Sequence, residues 1–197
     1  MPRSYSLGKR AEHVADTRRR IVDAALELYQ EKSVSATTML DVARRADVAP
    51  GTVANHFGSA EGLAAEVTAQ VLADLRMPTV DLFDGVDHLA QRIRLLVGEI
   101  SAFFERSKTW YQVSQREPPG AQVWRDAEAR YYVEQDALIR AALGPVAADA
   151  DAVAVVSAML GTYVLGAIEA SGRTAEEAVE LMADLLTAWL ATRHPDA

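Results

Sequence analysis

Residues 38–57 read TMLDVARRADVAPGTVANHF: two short helical patterns separated by Asp47, Val48 and Ala49. In the first, Met39, Val42, Ala43 and Ala46 recur at the i, i+3, i+4, i+7 spacing of one helical face. Thr37 or Thr38 can serve as its N-cap, because a hydroxyl accepts a hydrogen bond from the free amides of a first turn. The second pattern opens at Pro50, where a missing N–H costs nothing. Asp47 can adopt the left-handed conformation such a turn needs, and Val48 can fill the wedge between the helices. The layout predicts a helix-turn-helix. By spacing alone it also fits a plain helical hairpin.

Upstream, Ile21, Ala24, Ala25 and Leu28 predict a helix over about 16–32. Downstream, Ser59 can cap a helix running through Leu63, Val67 and Val71 to about residue 76, where Met77-Pro78 stops it. After a turn at Asp84-Gly85, a long helix carries Leu89, Ile93, Leu96, Val97, Ile100, Phe103 and Phe104 on one side. Residues 117–120, Glu-Pro-Pro-Gly, are the clearest interior break. Further helices are expected over about 121–143, 146–170 and 174–193, divided by Gly144-Pro145 and Ser171-Gly172. Alternating β-branched runs do not occur. The chain reads as all-α, with about nine helices: four short ones, then five longer ones.

With 197 residues, half of them hydrophobic, the chain can bury a sizeable core. It has no cysteine, which excludes disulfides, thiolate zinc sites and thiol catalysis. The basic N-terminus lacks an apolar core, so no signal peptide is expected. The apolar run at 152–168 follows Asp149 and Asp151 and holds Ser157, Gly161, Thr162 and Gly166, which argues against a membrane span. A soluble cytoplasmic protein with no membrane partner is the expectation.

The formal charge of −8 is unevenly spread. Residues 1–58 carry nine Lys/Arg against seven Asp/Glu, and residues 59–197 carry 11 against 21. A basic front on an acidic body suggests that the front meets a polyanion, although a solvated terminus gives the same count. The second helix of the hairpin fits double-stranded DNA. Pro50, Gly51, Thr52 and Ala54 are small enough for close backbone approach to a major groove, and the free amides of the helix end suit a phosphate. Thr52, Asn55 and His56 bear side chains able to reach bases or phosphates, whereas Phe57 is expected in the core. Arg18, Arg19 and Arg20 would oppose the dipole if they sat in the first turns of a helix, and a phosphate would explain them; local pairing with Asp16 and Asp23 is the alternative. Arg44 and Arg45 read as a solvated face.

The segment TRRRIVDAALELYQEKSVSATTMLDVARRADVAPGTVANHFGSAEGL, residues 17–63, closely resembles the DNA-binding domain of the TetR family of bacterial transcriptional repressors. The resemblance spans about residues 14–74. It implies a homodimer on a near-palindromic operator, released by a small-molecule effector. It also implies backbone contacts from the starts of the second and fourth helices, which here offer Thr37, Thr38 and Ser59. Four positions depart from the family pattern: Ala54 replaces a common tyrosine, Ala60 a lysine, Asp47 the turn glycine and Ala49 the serine cap. Fewer phosphate contacts would make the salt dependence shallower.

Seven of the 13 aromatic residues fall between 103 and 132: Phe103, Phe104, Trp110, Tyr111, Trp124, Tyr131 and Tyr132. They fit either a ligand cavity or an aromatic core, and the resemblance favours the effector pocket. Gln115 and Tyr163, with Gln112 and Glu99, are candidate polar fixings. An acidic body suits neutral or cationic ligands.

The stretch 153–168 is apolar nearly all round, so as a helix it must bury two faces. Ala158, Gly161, Thr162, Leu165 and Gly166, with Leu185 and Trp189 of the last helix, are the expected dimer contacts. A single deeply buried central helix is the alternative.

No nucleophile elbow, phosphate loop, dinucleotide fingerprint or zinc-protease motif occurs, and His13, His56, His88 and His194 are scattered. Neither an enzyme nor a metal or other cofactor is expected. The rival reading is a protein-interaction or ligand-sequestering module with weak DNA affinity.

Overall fold

The computed structural model describes residues 3–119 and 121–195, with backbone alone for residues 3–7, Val123 and Thr162. Among the described residues it is all-helical: α1 (Arg3–Lys32), α2 (Met39–Arg45), α3 (Pro50–Phe57), α4 (Ala60–Leu75), α5 (Leu89–Ser114), α6 (Gln122–Leu143), α7 (Ala150–Met159), α8 (Thr162–Ala170) and α9 (Ala175–Arg193). Short 3-10 turns lie at Val80–Phe83 and Gly144–Ala148. The chain divides into two compact units. The first holds Met1–Asp74 with Lys108–Ala127, and the second Leu75–Ser107 with Glu128–Ala197.

In the first unit the core is built from Ile21, Ala25, Leu28 and Tyr29 of α1, Val42 and Ala43 of α2, Val53 of α3, and Leu63 and Val67 of α4. Thr38 is the N-cap of α2. Its hydroxyl accepts from the Asp41 amide at 3.1 Å, while the Asp41 carboxylate accepts from the Thr38 amide at 3.1 Å. Lys32 and then Thr38 donate to that carboxylate and hold it well below the usual range. Asp47 takes the expected left-handed turn conformation, at φ 52°. Pro50 opens α3 at its first position, and Ala49 before it gives no side-chain cap.

The α3–α4 junction is tight. Gly58 closes α3 at φ 77°, and the Ser59 hydroxyl accepts from the Gly62 amide at 3.1 Å. A methyl group on Gly62 would collide with the Phe57 carbonyl oxygen. Because that neighbour is backbone, relief requires the junction itself to move.

The second unit packs Ile93, Leu96, Val97 and Ile100 of α5 against Leu138, Ile139 and Leu143 of α6, Val153, Val156 and Leu160 of α7, and Met182, Leu186 and Leu190 of α9. Asp149 caps α7, accepting from the Asp151 amide at 3.0 Å. Thr174 and Glu177 form a reciprocal capping box at the start of α9.

Two boundaries differ from expectation. The helix expected from about residue 16 begins at Arg3, because nothing in residues 3–15 breaks it beyond the tolerated Gly8. The helix expected over 146–170 is broken into α7 and α8, bent by 49°. Leu160 ends α7, and Gly161 becomes the extended N-cap of α8 at ψ 144°. Glycine's low helix propensity permits the break, and burial of both Leu160 and Leu165 in one core needs it. Among the described residues no single helix is long and apolar enough to cross a membrane.

Gly62→Ala is expected to lower the melting temperature by roughly 4–8 °C, the size of a roughly 2 kcal/mol loss in a chain of this length. Gly51→Ala meets open space and should leave it unchanged or slightly higher. Calorimetry of the two variants checks this.

Candidate nucleic-acid interface

Helix α3 presents Pro50, Gly51, Ala54 and Asn55 to solvent, keeps Thr52, His56 and Phe57 half-buried, and anchors itself through the fully buried Val53. Its outer face is thus small and polar, able to approach another surface closely. What holds it in place comes from α1. The Arg18 guanidinium donates to the His56 carbonyl at 3.0 Å, pairs with Glu66 at 3.0 Å, and lies 4.3 Å from the centre of the Phe57 ring. Arg20 donates to the carbonyls of Ala46 and, at 3.1 Å, Asp47. Each arginine therefore satisfies orphan carbonyls where one of the two short helices ends.

This corrects the reading of the arginine trio. With α1 starting at Arg3, the three lie in mid-helix, and the dipole argument for a phosphate partner falls away. Arg18 and Arg20 are engaged inside the unit. Arg19 is the exposed one, paired with Asp16 on its own helix.

Thr38 is exposed at the start of α2, but the Thr37 hydroxyl donates to the Ser33 carbonyl at 2.7 Å and so belongs to the preceding loop. Ser59 is exposed at the start of α4 and hydrogen-bonds Glu61, whose carboxylate it holds below the usual range. That places a negative charge beside one expected phosphate contact. Arg45 is taken up by Glu31 and Glu27, both at 2.9 Å.

The nine ligand candidates are divided between the two units. In the second unit Phe103 stacks on Tyr131 at 5.8 Å, Phe104 lies 6.1 Å from each, and Tyr132 meets Tyr131 edge-on at 5.4 Å. Buried Gln135 donates to the Tyr131 hydroxyl at 2.8 Å, and burial, with Tyr132 adding, raises that phenol's pKa. Tyr163 stands exposed on α8. Trp110, Tyr111, Gln115 and Trp124 belong to the first unit, where the Trp124 indole N–H is buried without a hydrogen-bond partner.

Of the dimer candidates, Ala158, Gly166 and Leu185 are exposed, while Gly161 and Trp189 are half-buried. Leu165 is corrected: at 4% exposure it belongs to its own core, because the bend at Gly161 turns it inward. The Thr162 side chain lies outside the described residues. Tyr163, a ligand candidate, and Leu181 are likewise exposed on α8 and α9. Gly62, Arg116 and Glu117 were missed; only an isolated glycine in a helix start and a charge pair before two prolines marked them.

Residues 21–67 match the family described as bacterial regulatory proteins, tetR family. Over 186 residues the chain is 28% identical to the HTH-type transcriptional regulator BetI of Burkholderia thailandensis, covering 89% of this chain and 94% of that one. It is 26% identical over 185 residues to the HTH-type transcriptional regulator BetI 1 of Chromohalobacter salexigens, covering 88% and 90%. In fold it is similar to NalD, the secondary repressor of the MexAB-OprM multidrug efflux pump in Pseudomonas aeruginosa, at a TM-score of 0.63 and 20% identity over 90% of this chain and 96% of that one.

Arg18→Ala should lower the melting temperature by several degrees, since it removes a carbonyl cap and a ring contact together worth about 1–2 kcal/mol. Arg19→Ala should leave it within about one degree, as exposed ion pairs contribute little. Thermal unfolding followed by circular dichroism separates the two roles.

Proposed function

The N-terminal domain of this chain belongs to the tetR family of bacterial regulatory proteins, and we propose that the protein is a ligand-responsive transcriptional repressor that binds a near-palindromic operator as a homodimer. In this reading residues 14–74 form the DNA-binding head, and residues 75–197 form the effector-binding and dimerising part. The observation that carries it is the outer face of α3: Gly51, Ala54 and Asn55 are exposed on a helix that opens at Pro50 and whose end is held by Arg18. That is a helix shaped to enter a major groove rather than to pack in a core. Arg19, Thr38 and Ser59 supply backbone contacts, and Asn55 and His56 read base edges.

The dimer surface is the outer side of α8 and α9, where Tyr163, Leu181 and Leu185 are exposed among Gly166 and alanines. Two heads then reach successive major grooves about 34 Å apart. The effector site centres on Phe103, Phe104, Tyr131 and Tyr132, a flat apolar set with a hydroxyl held by Gln135. A neutral or cationic aromatic molecule suits it. Release follows if the effector binds better to a head spacing that no longer matches the operator.

The experiment is selection of duplexes from a random-sequence pool by the wild-type protein, followed by salt titration. A palindromic duplex should emerge. Asn55→Ala should lose about 1–3 kcal/mol on it and little on random DNA. Arg19→Ala should flatten the salt slope by about one unit per half-site. A protein that enriches no duplex belongs instead to the protein-interaction or ligand-sequestering class. For assembly, Leu185→Glu should give a folded monomer by light scattering, whereas Leu165→Glu should fail to fold.

A further inference from the structure

The loop between α1 and α2 is held by residues distant in sequence. The amide of Val34 donates to one carboxylate oxygen of Glu117 at 2.6 Å, and the amide of Ser35 to the other at 3.1 Å. Next to it, Arg116 donates to the Gln30 carbonyl in the last turn of α1 at 2.8 Å. Two adjacent side chains thus satisfy the carbonyl end of one helix and the first amides beyond it. Both are groups a helix end leaves without partners, and the charges have the right signs for each.

The loop needs such a clamp. Ser33 has φ 92°, a conformation a non-glycine residue holds only where its surroundings enforce it. The Thr37 hydroxyl closes back on the Ser33 carbonyl, and Thr38 then caps α2. Where the loop is fixed, the start of α2 is fixed. Beneath it the buried Tyr29 phenol is pushed up to about 12 by burial, with the Glu117 charge adding to the effect.

We propose that Arg116 and Glu117 are positioning residues for DNA binding: they fix the α1–α2 loop, and through it the start of α2, so that operator affinity answers to the segment that bears them. The proposal rests on the DNA-binding reading above and names its regulation. The same segment carries Trp110, Tyr111 and Gln115.

The test uses the full chain with Glu117→Ala, Glu117→Gln and Arg116→Ala. Three quantities are read: amide exchange at Val34 and Ser35, melting temperature, and affinity for a duplex that the wild-type protein selects from random sequence. Glu117→Ala should speed exchange at those two amides and weaken the duplex about tenfold, as expected for losing charged hydrogen bonds. The melting temperature should fall by no more than several degrees, the same loss that Arg18→Ala gives. Glu117→Gln keeps one acceptor oxygen and should recover part of both effects.

Wild-type affinity in all three variants overturns the proposal. So does an affinity loss that tracks a fall in melting temperature without selective exchange at the two amides, which marks a merely structural role. If the wild-type protein selects no duplex, the DNA-binding reading fails instead.

Discussion

Two arginines on α1 hold the carbonyl ends of the helix-turn-helix, and the geometry of the interface depends on them. Helices of seven and eight residues, the lengths of α2 and α3, do not stand alone in water. Burial of Val42, Ala43 and Val53 against α1 supplies adhesion but sets no rotation. Rotation comes from directional bonds: Arg20 to the carbonyls at the end of α2, and Arg18 to the His56 carbonyl with its plane on Phe57. A guanidinium can stack and donate at once; a lysine ammonium can only supply a point charge. The face that α3 turns outward is therefore decided on a different helix.

Those residues explain what was legible in the sequence and what was not. Local signals were readable because their causes lie within a few residues: the Thr38 and Asp41 capping pair, proline at the first position of α3, and the left-handed Asp47. Buried positions of α5 followed from helical spacing for the same reason. The break at Leu160-Gly161 was not readable from an uninterrupted apolar run, because it is the shared core that turns Leu165 inward. Nor was the role of Arg18, whose partners His56, Phe57 and Glu66 are brought near only by the fold. Gly62 is a third such case, since its need for no side chain comes from a carbonyl at the end of the preceding helix. The aromatic cluster was read from proximity in sequence. Phe103 and Tyr131 belong to one compact unit, and Trp110 and Trp124 to the other.

Net charge misleads in a related way. The positive balance of the first 58 residues suggested a basic surface, yet Arg18, Arg19, Arg20, Lys32 and Arg45 each face a carboxylate. Part of the charge pattern therefore serves to staple short helices.

A head in which five cations are paired with carboxylates has consequences for how it would find a site. Counterion release scales with the number of phosphates neutralised, so each head gains little sequence-independent affinity. Base-edge contacts from Asn55 and His56, and the close approach allowed by Gly51 and Ala54, must then carry a larger share of binding. Such contacts are short-ranged and fail if α3 is misplaced by a fraction of an ångström to an ångström. On the DNA-binding reading proposed above, exact helix placement therefore matters as much as charge. In a protein built this way, small displacements of the residues that fix the head suffice to switch binding off.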